Sequence, residues 1–345
     1  MLDRGSASRR ARVAAGSGSA LRASTRSRRT AFRAAGTLVG AGVDRPAADA
    51  SLDDIPTERI VPPSLASVRE PLDPDRLAAA WARTGGPWLT PVVHPALAST
   101  NAEALRLARP WAVVVTDHQT GGRGRLSRGW QTPEHTAVTV SLTVPMPDEP
   151  LAWGWLPLLV GVAVHDAVAA ATGLETTLKW PNDVLVPGED ERKLCGILCE
   201  VAPTAPLVVV GIGLNVDQDR AELPVATATS LRLCGVPGTA GAVCREALLA
   251  ALGDALAEVV SAWSSAGDAG LAVQQRYRSL CATLGRSVRV VLPGAADLVG
   301  TAETVDEHGR VVVRGLDGQA HPVAAGDVVH LRHTGSASPA DATLT

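Results

Sequence analysis

The sequence predicts a mixed α/β (α+β) protein: a large domain on a mixed sheet, then a small β-barrel. Three observations predict it. Two long apolar stretches with helical spacing, 156–172 and 242–263, are interleaved with short runs rich in Val and Leu. One of those runs, 136–144, alternates apolar and polar residues as a half-buried strand does. Beyond residue 283 the pattern becomes short strands separated by turn pairs, the signature of a small barrel of about 50 residues.

In order, 73–81 reads as a short helix and 88–94 as an extended run. Residues 101–108 carry Ala and Leu at helical spacing, with Ser99 or Thr100 as the N-cap because their hydroxyls can accept a first-turn N–H. The Val run in 111–116 reads as a buried strand. The helix over 156–172 stops at Gly173, which alone tolerates a left-handed cap without strain. Strands follow at 176–180, 194–201 and 207–212, then helices at 242–263 and 273–280. The barrel strands are 287–292, 297–305, 310–314 and 328–332, parted by Pro293-Gly294, His308-Gly309, Asp317-Gly318 and Ala325-Gly326. The divisions are therefore 1–70, a disordered segment rich in Arg, Ala, Gly and Ser; 71–282, the main domain; 283–334, the barrel; and 335–345, a disordered tail.

A hydrophobic content of 46% is ample for a core, although a single Phe and a single Tyr leave Ala, Val, Leu and eight Trp to fill it. A net charge of −3 gives the whole molecule no electrostatic case for nucleic acid. The exception is the stretch 1–33, with nine Arg against Asp3, whose charge could meet RNA, DNA or a membrane surface, although an upstream extension without a function of its own is the favoured reading. It lacks the apolar centre of a secretory signal, and no run approaches the ~20 apolar residues of a membrane span, so no membrane role is expected. Five scattered cysteines with no CxxC pair read as reduced thiols in the cytoplasm, and no zinc set completes around them.

Lysine usage is the sharpest local signal. Of 32 Lys and Arg residues, two are lysines, Lys179 and Lys193. Where Arg has replaced nearly every Lys, the survivors suit work that needs a compact, steerable ammonium. Lys179 opens Lys179-Trp180-Pro181-Asn182-Asp183, and Lys193 lies in Arg192-Lys193-Leu194-Cys195-Gly196-Ile197. Upstream, Gly121-Gly122-Arg123-Gly124-Arg125-Leu126-Ser127-Arg128-Gly129-Trp130 places four glycines and three arginines in one loop. Glycines let backbone N–H groups approach an anion closely, and guanidinium forks match phosphate and carboxylate. The run is neither a P-loop nor a dinucleotide loop, since neither glycine spacing is present. Gly211-Ile212-Gly213-Leu214-Asn215 marks a strand packed closely against a neighbour or ligand. His165, on the apolar helix, reads as a satisfied core residue, and His94, His118 and His135 show no ligand spacing.

Taken together, these runs resemble the four signatures of the biotin protein ligase family: the glycine-arginine loop, Lys179–Asp183, Arg192–Glu200 and Gly211–Asn215, preceded by Ser99-Thr100-Asn101. The resemblance covers roughly 72–335 and implies a class II synthetase-like catalytic domain with a mixed sheet and a C-terminal SH3-like barrel. It implies ATP-dependent activation of biotin as biotinyl-5′-AMP and transfer to one lysine of the biotin carboxyl carrier domains of acyl-CoA and pyruvate carboxylases. The rivals are a lipoate or octanoate ligase and a biotin-sensing transcriptional regulator.

By resemblance, Ser99, Thr100, Asn101, Gln119, Arg123, Gly124, Arg125, Lys193 and Gly196 bind biotin. The ATP and adenylate side falls to Arg123, Arg125, Arg128, Trp130, Asn182, Asp183, Lys193 and Asn215. Lys193, Arg123 and Arg125 are the catalytic residues, because cations can neutralise a carboxylate and an α-phosphate that otherwise repel. Mg²⁺ is expected on the ATP phosphates with few protein ligands and no metal site of the protein's own. Asp183 either aids deprotonation of the acceptor amine or orients Lys193. Ser127 stands where the family often has Gly, and Leu126 where it has a basic or variable residue, which implies a stiffer loop. Some members carry an N-terminal DNA-binding domain; here an Arg-rich segment stands in its place, so no sequence-specific DNA binding is expected. A monomer and a homodimer are both open.

Overall fold

The computed structural model describes residues 68–331, apart from 126–127, 131, 147–149, 189, 265–266 and 293. The Arg-rich stretch up to residue 67, Leu126, Ser127 and the tail expected at 335–345 lie outside the described residues.

The main domain rests on a seven-stranded sheet formed by β1 (Val92–His94), β2 (Val113–Thr116), β5 (Ala137–Pro145), β6 (Thr177–Lys179), β7 (Asp183–Val186), β8 (Arg192–Val201) and β9 (Leu207–Asn215). The strand order is β1-β2-β5-β9-β8-β7-β6. The first pair is parallel and the others are antiparallel, which makes the sheet mixed as expected. A separate two-residue ribbon, β3 (Gly122–Arg123) with β4 (Gly129–Trp130), carries the glycine-arginine loop.

Period-two alternation assigns each strand residue to a face. Val138, Val140, Leu142 and Val144 of β5, with Val208, Val210, Ile212 and Leu214 of β9, join the main core. That core is covered by α3 (Leu156–Thr172) and α4 (Ala242–Ser264), which pack on each other, flanked by α1 (Pro74–Trp81) and α5 (Asp268–Leu280). On the opposite face α2 (Thr100–Leu107) sets Ala104 against Val114 and Val209. Because α2 is only eight residues long, it covers part of that face. The uncovered part, over β8 and β9, carries the site.

The caps follow the sequence. Asp73 accepts N–H bonds from Asp75 and Arg76, Ser99 accepts one from Ala102, and Gly173 ends α3 at φ 72°. Two helices, Trp153–Thr172 and Ala242–Ser264, are long and apolar enough to cross a membrane by length and composition, contrary to the sequence expectation that no run comes near. Their apolar side chains fill the core: Leu158, Leu159 and Val162 of one and Leu248, Leu249 and Leu252 of the other are buried.

The barrel comprises β10 (Ser287–Val291), β11 (Leu298–Val305), β12 (Val311–Gly315), β13 (Ala320–Val323) and β14 (Asp327–His330), in the order β13-β12-β11-β10-β14, all antiparallel. It is pinned to the main domain through two buried indoles. Trp155 Nε1 donates to Glu307 O and Trp180 Nε1 to Gly309 O, each at 3.0 Å. Gly154 lies so close to the His308-Gly309 turn that a Cβ there would meet Gly309 Cα at 3.7 Å and His308 C at 3.3 Å.

Four differences from the sequence reading have physical causes. The extended run at 88–94 shrinks to β1, because Trp88 turns inward to stack edge-on to Trp111 and donate to Gly253 O. The strand at 207–212 continues through Gly213 to Asn215. Strands β7 and β13 appear where none was expected; Pro322 fits β13 because that strand lies at the sheet edge. The folded part begins earlier than residue 71. Arg69 Nε donates to Asp217 Oδ2 at 2.9 Å, and its Nη atoms grip both oxygens of Glu222 at 2.8 and 2.7 Å. His165 Nδ1 lies 2.9 Å from Thr176 Oγ1, a satisfied structural contact.

Candidate active site

The floor of the site is made by missing side chains. Gly196 of β8 and Gly213 of β9 are paired across the two strands. The Trp130 indole lies on this pair: a Cβ on Gly213 would stand 2.6 Å from Nε1 and 2.7 Å from Cζ2, and one on Gly196 would stand 3.1 Å from Cζ3. Only glycine leaves room for a ring at that distance. The Trp130 Nε1–H is buried without an acceptor, so it is a donor held inside the cavity. Gly211 does the same for Asn101, whose Cγ would lie 2.8 Å from a Cβ there.

At one end of the floor, polar side chains form a connected cradle. The Thr100 N–H donates to Gln119 Oε1 at 3.0 Å, and the Thr100 hydroxyl lies 3.2 Å from the same atom. Ser141 Oγ donates to Asn101 Oδ1 at 2.6 Å and lies 2.7 Å from Thr100 Oγ1. Asn101 Nδ2 donates to Glu200 Oε2 at 2.6 Å. Thr100, Asn101, Gln119 and Ser141 are all buried, so the cradle is preorganised to read a small ligand with alternating donors and acceptors.

At the other end the cavity is charged. A β-bulge in β8 skips Leu194 in the pairing with β7; Leu194 and Cys195 both enter the core, and Lys193 faces the site. Lys193 Nζ lies 2.7 Å from Asp183 Oδ1, off the hydrogen-bonding direction, and 5.6 Å from the Trp130 ring centre. Arg125 Nη1 reaches Asn182 Oδ1 at 3.5 Å, and Asn182 Nδ2 donates to Ile197 O at 2.8 Å. Burial lowers the pKa of Arg125, which stays charged because a guanidinium starts so high. Arg128 pairs with Asp327 of the barrel, tying the loop to the second domain. Arg286 of the barrel grips both oxygens of Glu191, and His330 Nδ1 lies 3.0 Å from Glu191 Oε2. Asn215 is spent on structure: its amide donates to Thr229 O at 2.9 Å and its Oδ1 accepts from Gln218 at 3.1 Å, fixing the loop that forms one wall.

Every residue the sequence reading singled out for the site, from Ser99 to Asn215, lines one cavity of about 1160 Å³. The reading missed Ser141 and Thr139, whose only signal is their place on the polar face of β5. It also missed the barrel's share of the wall, Arg286, Asp327 and His330, for which distant sequence positions give no signal. Lys179, noticed but given no role, lies in the same wall.

Residues 98–217 match the Biotin/lipoate A/B protein ligase family, and residues 283–331 match the Biotin protein ligase C terminal domain. Over 274 residues the chain is 42% identical to the biotin–[acetyl-CoA-carboxylase] ligase of Mycobacterium tuberculosis, spanning 77% of this chain and 98% of that protein. The chain belongs to the biotin protein ligase family. A second member, the biotin–[acetyl-CoA-carboxylase] ligase of Paracoccus denitrificans, is 34% identical over 64% of this chain and 92% of its own length. Among solved structures, the biotin protein ligase of Aquifex aeolicus in complex with biotin and ATP superposes with a TM-score of 0.58 at 25% identity, covering 70% of this chain and 98% of that one. The mixed sheet and the five-stranded barrel are thus the family's two modules.

Proposed function

We propose that this chain is an ATP-dependent ligase that activates biotin as biotinyl-5′-AMP and transfers it to a lysine of a biotin carboxyl carrier domain. The observation that carries the reading is the polarity of one cavity: a neutral hydrogen-bonding cradle at one end, a tryptophan-on-glycine floor in the middle, and Lys193 with the arginine loop at the other. Biotin has matching parts. Its ureido ring offers donors and an acceptor to Ser99, Thr100, Asn101 and Gln119, its thiophane is apolar, and its valerate ends in a carboxylate.

In the first step a carboxylate oxygen attacks the α-phosphorus, the bond to the β-phosphate oxygen breaks, and pyrophosphate leaves with the electron pair. No proton moves. The barrier is the approach of two anions, and Lys193 with Arg123 and Arg125 lowers it by neutralising the charge that gathers there. Arg128 and Trp130 hold the loop over the nucleotide side, and Gly124 lets its backbone approach. Asp183 orients Lys193 through their close pairing. In the second step the neutral acceptor amine attacks the acyl carbon, AMP leaves with the electron pair of the broken C–O bond, and the amine's surplus proton passes to the departing phosphate; closure of the loop keeps water from the mixed anhydride.

Among the described residues no three His, Cys, Asp or Glu side chains converge as a cation site, so Mg²⁺ is assigned to the phosphates of ATP rather than to a protein cage. A reaction that consumes ATP fits the cytoplasm, where the five free cysteines stay reduced.

The test is ATP–pyrophosphate exchange in the presence of biotin or of lipoate, followed by transfer to a carrier domain. Exchange that requires biotin, with labelled carrier as product, is the expected result. Exchange with lipoate alone would move the chain to the lipoate branch of its superfamily. A folded protein inert with both would leave only a biotin-sensing role.

A further inference from the structure

The second lysine of the chain also lines the cavity, and the chemistry above gives it no part. Lys179 ends β6 and is the register partner of Asp183 on β7, which in turn pairs with Lys193 on β8. Lys193 is opposite Leu185, but its side chain reaches back over Gly196, the register partner of Asp183, so cation, anion and cation lie in a row across three adjacent strands. The Lys179 side chain lines the cavity, half buried.

Its neighbours are engaged. Lys193 has Asp183, Arg128 has Asp327, and Arg286 has Glu191. Among the described residues no carboxylate stands within ion-pair distance of Lys179. Asp183 and Glu191 act on it only from further off, and burial lowers its pKa. A half-buried ammonium with no carboxylate at ion-pair distance carries a desolvation cost, which a bound anion offsets. The same wall holds Arg286 and His330 of the barrel, both set against Glu191, so the charges around Lys179 are mixed and their cations face the cavity.

We propose that Lys179 receives the pyrophosphate end of ATP, holding the β-phosphate as it becomes the leaving group. This rests on the ligase reading above and deepens it. If Lys193 meets the carboxylate and the α-phosphate, the next cation in the row towards the barrel meets the next phosphates. As the bond between the α-phosphorus and the bridging oxygen breaks, that oxygen keeps the electron pair and stays on the β-phosphate. The Lys179 ammonium neutralises it and keeps its own proton, so the step needs no acid or base. The second half-reaction, which has no pyrophosphate, makes no use of Lys179. That asymmetry separates it from Lys193.

The experiment compares Lys179→Met and Lys179→Arg with the wild type in three assays. These are biotin-dependent ATP–pyrophosphate exchange, calorimetric binding of inorganic pyrophosphate, and single-turnover transfer from synthetic biotinyl-5′-AMP to a carrier domain. The expected result for Lys179→Met is exchange reduced by about 10²- to 10³-fold, the usual loss for a donor aimed at developing charge. Pyrophosphate binding weakens with it, transfer from supplied adenylate is kept, and Lys179→Arg recovers part of the pyrophosphate binding. Retained transfer also shows that the variant folds. Two outcomes overturn the proposal while leaving the ligase reading intact: exchange at the wild-type level in Lys179→Met, or transfer from supplied adenylate lost as fully as exchange. A wild-type protein with no biotin-dependent exchange would overturn both.

Discussion

Replacing Gly213 by Ala puts one methyl group into the floor beneath Trp130. Its Cβ would stand 2.6 Å from Nε1 and 2.7 Å from Cζ2 of the indole. Carbon contacts are comfortable at about 3.5–4.0 Å, so the ring must retreat by roughly 1 Å. Retreat is awkward, because the ring also overlies Gly196 and lies against the Lys193 side chain. Overpacking of this kind costs about 1–3 kcal/mol. Charged entirely to the ligand-bound state, that is a roughly 5- to 150-fold weaker hold on biotin. The assay is the biotin KM in ATP–pyrophosphate exchange, with thermal unfolding measured alongside. Gly85→Ala is the control, since the nearest atom to its methyl is Asp254 Oδ1 at 3.8 Å. Adding Trp130→Phe removes the crowding atoms and should restore part of the lost affinity. Normal biotin affinity in Gly213→Ala, or a double variant that loses the sum of both effects, would refute the argument that the glycine exists to seat the indole.

Other expectations follow from single contacts. Ser141→Ala leaves Asn101 Oδ1 without its donor in a buried cradle; a cost of about 1–3 kcal/mol should raise the biotin KM while kcat stays nearly constant. Lys193→Ala should cut adenylation by about 10²- to 10³-fold, read by exchange at saturating biotin. Arg245→Met breaks the buried pair with Asp117 at 2.5 Å and should destabilise the fold by about 3–5 kcal/mol in denaturant melts. Adding Asp117→Asn should return much of that loss. Burial keeps His330 below its ordinary pKa despite Glu191. A His depressed in the folded state binds its proton more readily when unfolded, so stability is full above the ordinary value of 6.5 and declines as pH falls through it. In His330→Gln that part of the acid-side slope should vanish from melts taken across this range.

The site was more legible in the sequence than the boundaries were. Short runs with unusual chemistry, such as Arg123-Gly124-Arg125 and the lysine motifs, point to one anion-handling cavity because each violates ordinary core or surface composition. Helix ends were legible where one residue decides them, as at Asp73, Ser99 and Gly173. Strand β9 was cut short at Ile212 because glycine lowers strand propensity, whereas here Asn101 and Trp130 pack into the space that glycine leaves. Strand β7 was invisible because its four residues follow a Pro-Asn turn signal and exist only through pairing on both sides. Contacts between distant positions carry no periodicity: within the main domain Arg69 meets a partner 148 positions away, and across the two modules Arg128 meets one 199 positions away.

Both lysines of the chain point into the cavity, and no other residue of the sequence is a lysine. A mixed anhydride of a carboxylic acid and a phosphate is an acylating agent for any free amine it meets. On leaving the cavity it would meet no lysine amine on the exterior, because both lysines line the cavity and the arginine guanidinium groups are too weakly nucleophilic to be acylated. Apart from its α-amino group, the enzyme has no amine outside the cavity to form a stable amide by mistake. The same arginine-rich surface that makes the two lysines conspicuous would keep the enzyme free of its own product, so that stray acylation falls on other proteins and water.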